Sequence, residues 1–289
     1  MRRVSLTIVL ALAVVMGAAA AFAAAPDDRP VSADGSRNSR PARLAGVNFV
    51  STCAFSHRKQ DDLIIFPGRH GLSHDHTYVG NTSTNGDSTL ASLRDAGTTC
   101  RRPGDTAAYW VPTLYRDGEP VDPLGATIYY RRRTIEPVRP FPAGLEVIAG
   151  ASRAPSPQSR AVTFWSCGGE AGMPPSSEPP TCPDAGRRSG LRLHVRFPDC
   201  WDGWALDSAD HQSHMAYSVR GRCPSSHPVE VPAIAIIVRY PILGGPGLEL
   251  ASGGVYSAHA DFVNAWDEAA LARLVERCLN ALRHCGRGS

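Results

Sequence analysis

Three short groups of side chains carry the chemistry that this chain could perform. In Gly71–Asn81, His74 and His76 form an H-x-H pair. In an extended segment both imidazoles fall on one face, where two neutral rings can share a metal ion, or one can act as base while the other orients it. Between Asp207 and His214 the histidines His211 and His214 stand three apart, with Asp207 one turn earlier, the spacing of one face of a helical turn. Tyr256–Phe262 adds His259 and Asp261, which share a side if that segment is extended. Any one group could merely cap or brace a loop; together they are expected to converge on one cleft.

The densest stretch is Phe197–Tyr217, in which four acids, two histidines, two tryptophans and a cysteine occupy 21 residues. Such crowding suits a wet, reactive cleft better than a core. One mechanism places a single divalent metal ion among His74, His76, His214 and His259, with Asp210 or Asp261 behind them to fix a tautomer, so that the ion activates water. A metal-free alternative pairs a histidine base with a phenol, His214 with Tyr217, or sets Asp199 against Asp202 as base and acid. Asp202 follows Trp201 and precedes Gly203, a turn that could present it to a sugar ring stacked on an indole. A Ser-His-Asp hydrolase fits poorly, because no G-x-S-x-G elbow occurs. Gly244-Gly245-Pro246-Gly247 lacks the lysine and serine of a phosphate loop and reads as a turn.

Positioning these groups falls mainly to short strands, expected at Val47–Cys53, Thr77–Val79, Tyr109–Leu114, Thr127–Arg131, Leu145–Ala149, Val162–Trp165, Leu191–Phe197, Ile234–Tyr240 and Gly254–Ala260. The gaps between many of them carry Pro, Gly, Asn or Asp. That pattern predicts a mainly β fold, a β-sandwich or jelly roll, in one domain over residues 45–289. Leu191–Phe197 alternates cleanly, with Arg192, His194 and Arg196 on the solvent face. A short helix is expected over Ser88–Ala96, capped by Asp87 or Ser88. A stronger one follows Asp267, with Leu271, Leu274, Val275, Cys278, Leu279 and Leu282 at the spacing of a buried stripe.

Residues 1–25 read as a secretory signal: Arg2 and Arg3, then an apolar run, then small residues around Ala23. The apolar core is short for a retained anchor, and no later stretch matches a membrane span. Residues 26–44, polar and without periodicity, are expected to be a disordered leader. The formal net charge of +3 loses two arginines with the signal, leaving no electrostatic case for nucleic acid or a charged membrane as partner. Asn81-Thr82-Ser83 matches a glycan acceptor, read as chance beside the proposed site.

All eight cysteines follow the signal, and an even count in an exported chain reads as a disulfide framework. About a hundred pairings are open. Short loops favour the neighbours, Cys53 with Cys100, Cys167 with Cys182, Cys200 with Cys223 and Cys278 with Cys285. Cys167–Cys182 would tie down a long surface loop over Gly168–Gly190. A straight helix would hold Cys278 and Cys285 about 10 Å apart, beyond the roughly 7 Å that a bridge allows. Either the helix stops near Leu282 or these two pair elsewhere.

SHDHTYVGNTSTN (73–85), AYWVPTLY (108–115), FPDCWDG (197–203), DHQSHMAY (210–217), CPSSHPVEVP (223–232) and HADFVNAWD (259–267) together resemble a secreted bacterial and fungal family, domain of unknown function nineteen-ninety-six. The likeness spans about residues 46–285. It implies an extracellular domain, in fungi sometimes joined to carbohydrate-binding modules, and so a polysaccharide or cell-wall glycan as partner. The motif residues His74, His76, Asp202, Asp210, His211, His214, His259 and Asp261 stand where the resemblance places them. The H-x-H also resembles a cupin metal motif but departs from it, since Val79–Thr84 holds no glutamate. The expected activity is hydrolysis or lyase cleavage of a glycan, with a non-catalytic glycan-binding module or a metal-binding protein as alternatives.

Overall fold

A computed structural model of the chain describes residues 44–168, 173–184 and 190–286. The expected signal and almost all of the leader lie outside the described residues, as does part of the expected loop 168–190. The fold is mainly β, with two principal sheets and two small ones. One principal sheet has six strands, in the order β17 (His284–Cys285), β1 (Asn48–Cys53), β7 (Gly125–Arg131), β14 (Ala233–Arg239), β10 (Arg192–Arg196) and β9 (Thr163–Ser166). Only the β1–β17 pair is parallel. The other has five antiparallel strands, ordered β2 (Phe55–Lys59), β3 (His76–Gly80), β4 (Ala108–Pro112), β16 (His259–Val263) and β8 (Glu146–Gly150). The small sheets are built from β5 (Leu114–Arg116), β6 (Glu119–Pro120) and β15 (Leu248–Leu250), and from β11 (Cys200–Trp201), β12 (Met215–Ala216) and β13 (Val229–Glu230).

Period-two alternation decides what each sheet buries. Phe49, Ile128, Tyr130, Leu193, Val195, Ile234 and Ile236 from the six-stranded sheet join one apolar core with Val79, Tyr109, Val111, Val147, Ala149, Ala260 and Phe262 from the five-stranded sheet. This is the sandwich that the strand pattern predicts. The five-stranded sheet is covered on its outer face as well. There Tyr78, Ala108, Trp110 and Val263 pack with Leu63 and Ile64 of a preceding loop and Leu93 of helix α1 (Leu90–Asp95). That cover is why all five residues of β3, β4 and β16 are buried, and it creates a second, polar-containing interior.

Several boundaries differ from expectation for identifiable reasons. Helix α1 is capped by Thr89, whose hydroxyl accepts from the Ser92 amide at 3.2 Å, because Asp87 is engaged by His70 Nε2 at 2.8 Å. The strand expected at Gly254–Ala260 begins only at His259, since positive-φ Gly253 and Gly254 turn the chain. Helix α2 (Glu268–Leu274) is capped by Asp267, as its sequence predicts. It then widens into a π turn, Val275–Asn280, that buries Val275, Cys278 and Leu279. Leu282, expected on the buried stripe, instead takes a positive φ and is exposed. The reversal there brings Cys285 within 5.7 Å of Cys278, Cα to Cα, and they form a disulfide. The other three bridges are Cys53–Cys100, Cys167–Cys182 and Cys200–Cys223. Four disulfides point to folding in an oxidising, extracellular setting. No described helix is long and apolar enough to cross a membrane. Asn81 of the acceptor sequence is fully buried and donates to the carbonyls of Leu93 and Thr106.

Candidate metal centre

His74, His76 and His259 meet on the outer face of the five-stranded sheet. His76 opens β3, His74 lies two residues before it, and His259 opens β16, two strands away. His74 Nε2 is 3.3 Å and His76 Nε2 3.5 Å from His259 Nε2, and one ring nitrogen from each of the three lies within 4.8 Å of the others, within the reach of a single ion. His76 and His259 are buried and His74 is half-buried, so the cluster opens to solvent on the His74 side.

The surroundings set the tautomers. His76 Nδ1 donates to the carbonyl of Asp61 at 2.9 Å, and His259 Nδ1 donates to the carbonyl of Ser257 at 2.9 Å. In the neutral rings both Nε2 atoms then carry lone pairs that face each other. Burial keeps the rings neutral: it lowers His259 to about 3 and His74 to about 4, and drives His76 well below the ordinary range, where its two neighbours depress it further. Two acceptor lone pairs at 3.5 Å repel unless a cation lies between them. Ligands held tetrahedrally at about 2.0–2.1 Å from zinc stand about 3.3 Å from one another, which the observed separations match. Asp261, on the same strand face, brings Oδ2 to 3.8 Å from His259 Nε2. That oxygen is buried and has no hydrogen-bond partner among the described residues, and neither has Trp110 Nε1 on the neighbouring strand. Burial, with the Asp62 carboxylate adding to it, raises Asp261 well above the usual carboxylate range.

Gly150 of β8 pairs with His259 at a φ of +88°, and a Cβ there would lie 2.5 Å from the Ala258 carbonyl oxygen. Only glycine lets the edge strand approach β16 at this point. On the other side Asp61 acts as a hub. Its carbonyl also accepts the Tyr78 hydroxyl at 2.5 Å, while its buried carboxylate accepts from His70, Gly71 and Gly86 and pairs with Lys59.

Other residues expected at this site stand elsewhere. His214 does not join the three histidines, because both of its ring nitrogens are engaged, with Ser208 Oγ at 2.9 Å and the Glu146 carbonyl at 2.6 Å. The stretch 207–214 forms irregular turns rather than a helical one, with His211 at a φ of +58° and its Nδ1 on Asp207 Oδ2 at 2.8 Å. Asp210 caps the amides of Gln212 and Ser213, and Asp202 those of Trp204 and Ala205. Tyr217 donates to the Arg196 carbonyl at 2.9 Å and cannot serve His214 as acid. Asp199 is buried and committed to Ser218, so it does not pair with Asp202. His194, expected on a solvated face, is half-buried and stacks on Phe164 at 4.2 Å.

Residues 62–266, well over half of the chain, match a family described as a domain of unknown function (DUF1996). The chain belongs to the DUF1996 family. No curated protein and no solved structure matches it. Within or beside the DUF1996 domain, three functional candidates escaped sequence reasoning: Asp61, Asp62 and Glu146. Glu146 opens β8, hydrogen-bonds through its amide to the Leu206 carbonyl at 3.0 Å and accepts from His214 through its own carbonyl. Burial, then the neighbouring Asp207 carboxylate, raises its carboxyl to about 7. Asp62 is buried, caps the amides of Ile64 and Ile65, and is raised by burial. The signals were a lone acid on the polar side of an apolar strand, and an acid pair abutting the apolar run 63–66.

Proposed function

We propose that this DUF1996 protein is an exported metalloenzyme in which His74, His76 and His259 hold one divalent transition-metal ion. Bound there, the ion would supply Lewis-acid activation of water or of a substrate oxygen, for hydrolysis or lyase cleavage of a glycan, with access from the side of the half-buried His74. One observation carries the metal: the Nε2 lone pairs of His76 and His259 face each other, with both Nδ1 protons committed to backbone carbonyls. The orphaned buried Asp261 Oδ2 beside them supports it. Imidazole-only first ligands suit zinc, copper or nickel better than magnesium or calcium. Glu146, raised to about 7, lies on the same sheet face opposite Val263, four residues along β16 from His259, where it stands beside the Asp207–His211 pair rather than at the ion. The glycan part is supported by the indole of Trp204, which is 80% exposed on the loop that leads to Asp207; the four disulfides bear only on the extracellular setting.

Elemental analysis of protein stripped with chelator and reloaded separately with zinc, copper and nickel tests the metal. About one ion per chain is expected for one of them, and none in His76→Ala/His259→Ala protein whose fold is verified by circular dichroism. Less than a tenth of an ion per wild-type chain under all three conditions eliminates the centre. A screen of wall polysaccharides for released reducing ends or unsaturated sugars then tests the reaction.

A further inference from the structure

One exposed imidazole is tied, through a single residue, to the histidine centre. His70 donates from Nδ1 to Asp61 Oδ2 and from Nε2 to Asp87 Oδ2, each at 2.8 Å. With a carboxylate oxygen at each ring nitrogen, both nitrogens must donate, so the ring is an imidazolium. The bond to Asp61, then that to Asp87, raises its pKa above the ordinary 6.5. Gly86 packs against the ring, where a Cβ would lie 3.4 Å from Nδ1, and the Gly68 amide donates to the Gly86 carbonyl at 2.7 Å. His70 thus clasps the segment 61–71 to the segment 83–89.

The clasp reaches a metal ligand through Asp61. The Asp61 carbonyl accepts from His76 Nδ1 at 2.9 Å, the bond that leaves the His76 Nε2 lone pair facing His259. Burial alone would raise the Asp61 carboxyl, yet His70 and the amides of Gly86 and Gly71 together hold it below its usual value. The charges that act on His70 are Asp61 and Asp87, and Lys59 of β2 reaches the same Asp61 oxygen at 3.5 Å. When His70 loses its proton, one ring nitrogen turns a lone pair toward a carboxylate oxygen, and the clasp loosens at that end.

We infer that His70 is a positioning residue that couples acidity to the centre: protonated, it holds Asp61 so that the Asp61 carbonyl fixes His76 for an ion, and deprotonated, it releases that hold. The inference rests on the reading of His74, His76 and His259 as ion ligands and adds their regulation. The folded-state pKa of His70 lies above 6.5, so the hold is complete on the acid side and is lost as pH rises through that raised value. His74 and His259, lowered to about 4 and about 3, stay neutral throughout that window. Glu146 and Asp105, both raised to about 7, do titrate near it, but a His70 variant shares them with the wild type.

Nuclear magnetic resonance of histidine-labelled, metal-free protein tests the clasp from about pH 5.5 to about pH 9. The His76 Nδ1 proton is expected to exchange with solvent about tenfold faster above the His70 midpoint than below it. Asp87→Asn should move the midpoint and the exchange step down together, and His70→Gln should show fast exchange at every pH. Both positions are exposed, and circular dichroism checks that the variants fold. Protein loaded with zinc, copper or nickel, whichever it takes up, should release the ion to a chelator about tenfold faster in His70→Gln than in wild type below the midpoint, and equally fast above it. A His76 signal indifferent to pH and to both substitutions, or a release ratio constant across the midpoint, overturns the inference. Wild-type protein that takes up none of the three ions removes the centre and its regulation, while the metal-free signal still shows whether His70 fixes His76.

Discussion

Asp105 supplies a prediction whose size follows from its surroundings. It is fully buried, accepts hydrogen bonds from Ser51 and from the Tyr109 hydroxyl, and anchors a chain of polar groups through Tyr130 to the Trp266 indole. Burial raises its carboxyl from 3.8 to about 7, against the opposing effect of those hydrogen bonds and of Arg102. A carboxyl whose folded-state pKa lies above its unfolded one binds more protons when folded between those two values. Stability from this group is therefore complete below about pH 4 and declines as pH rises toward 7. A gap of roughly three pH units corresponds to about 4 kcal/mol. A carboxamide in place of the acid imitates the protonated form and cannot ionise, so Asp105→Asn should remove that decline while every other titration is shared. Urea unfolding of both proteins at intervals from pH 4 to pH 8 measures the difference directly. It is expected to move by about 3–5 kcal/mol in favour of the variant. Two stability curves that stay parallel across that interval would refute the reasoning.

Three further outcomes are expected. Adding the cognate ion to stripped protein at about a hundred times its dissociation constant should stabilise it by ~2.7 kcal/mol, a rise of roughly 5–10 °C in calorimetric midpoint for a domain of this size; His259→Ala protein should show no rise. Gly150→Ala forces a Cβ against the Ala258 carbonyl at positive φ, and should cost at least about 2 kcal/mol and reduce bound metal; an unshifted melt with full metal content would contradict the close approach. Replacing both Cys53 and Cys100, which close a span of 47 residues, should cost about 4 kcal/mol, and replacing Cys278 and Cys285, seven apart, about 2–3 kcal/mol; denaturant unfolding that reverses this order would show that chain entropy does not set it.

Much of the framework was legible because it rests on local rules. Alternation in Leu191–Phe197 sends Leu193 and Val195 inward and Arg192, His194 and Arg196 outward, and it does so whatever the strand pairs with. Asp267 marks a helix start because its carboxylate needs only the amides three residues ahead. The H-x-H pair could be placed on one face from its spacing alone, and His259 with Asp261 likewise. The histidines of 207–214 could not be judged that way. Their spacing suits a helix, but Ser208 and the Glu146 carbonyl, 68 residues from His214, claim both nitrogens of that ring.

By itself the sequence determined the sandwich class, the cysteine partners favoured by short loops, and three candidate side-chain groups, of which two meet. The tertiary structure decided which groups meet, because His74 and His259 are 185 residues apart and only the strand order β3-β4-β16 brings them together. It also decided protonation and tautomer. Those depend on burial beneath the loop of Leu63 and Ile64 and on the carbonyls of Asp61 and Ser257, and neither leaves a mark in residue spacing.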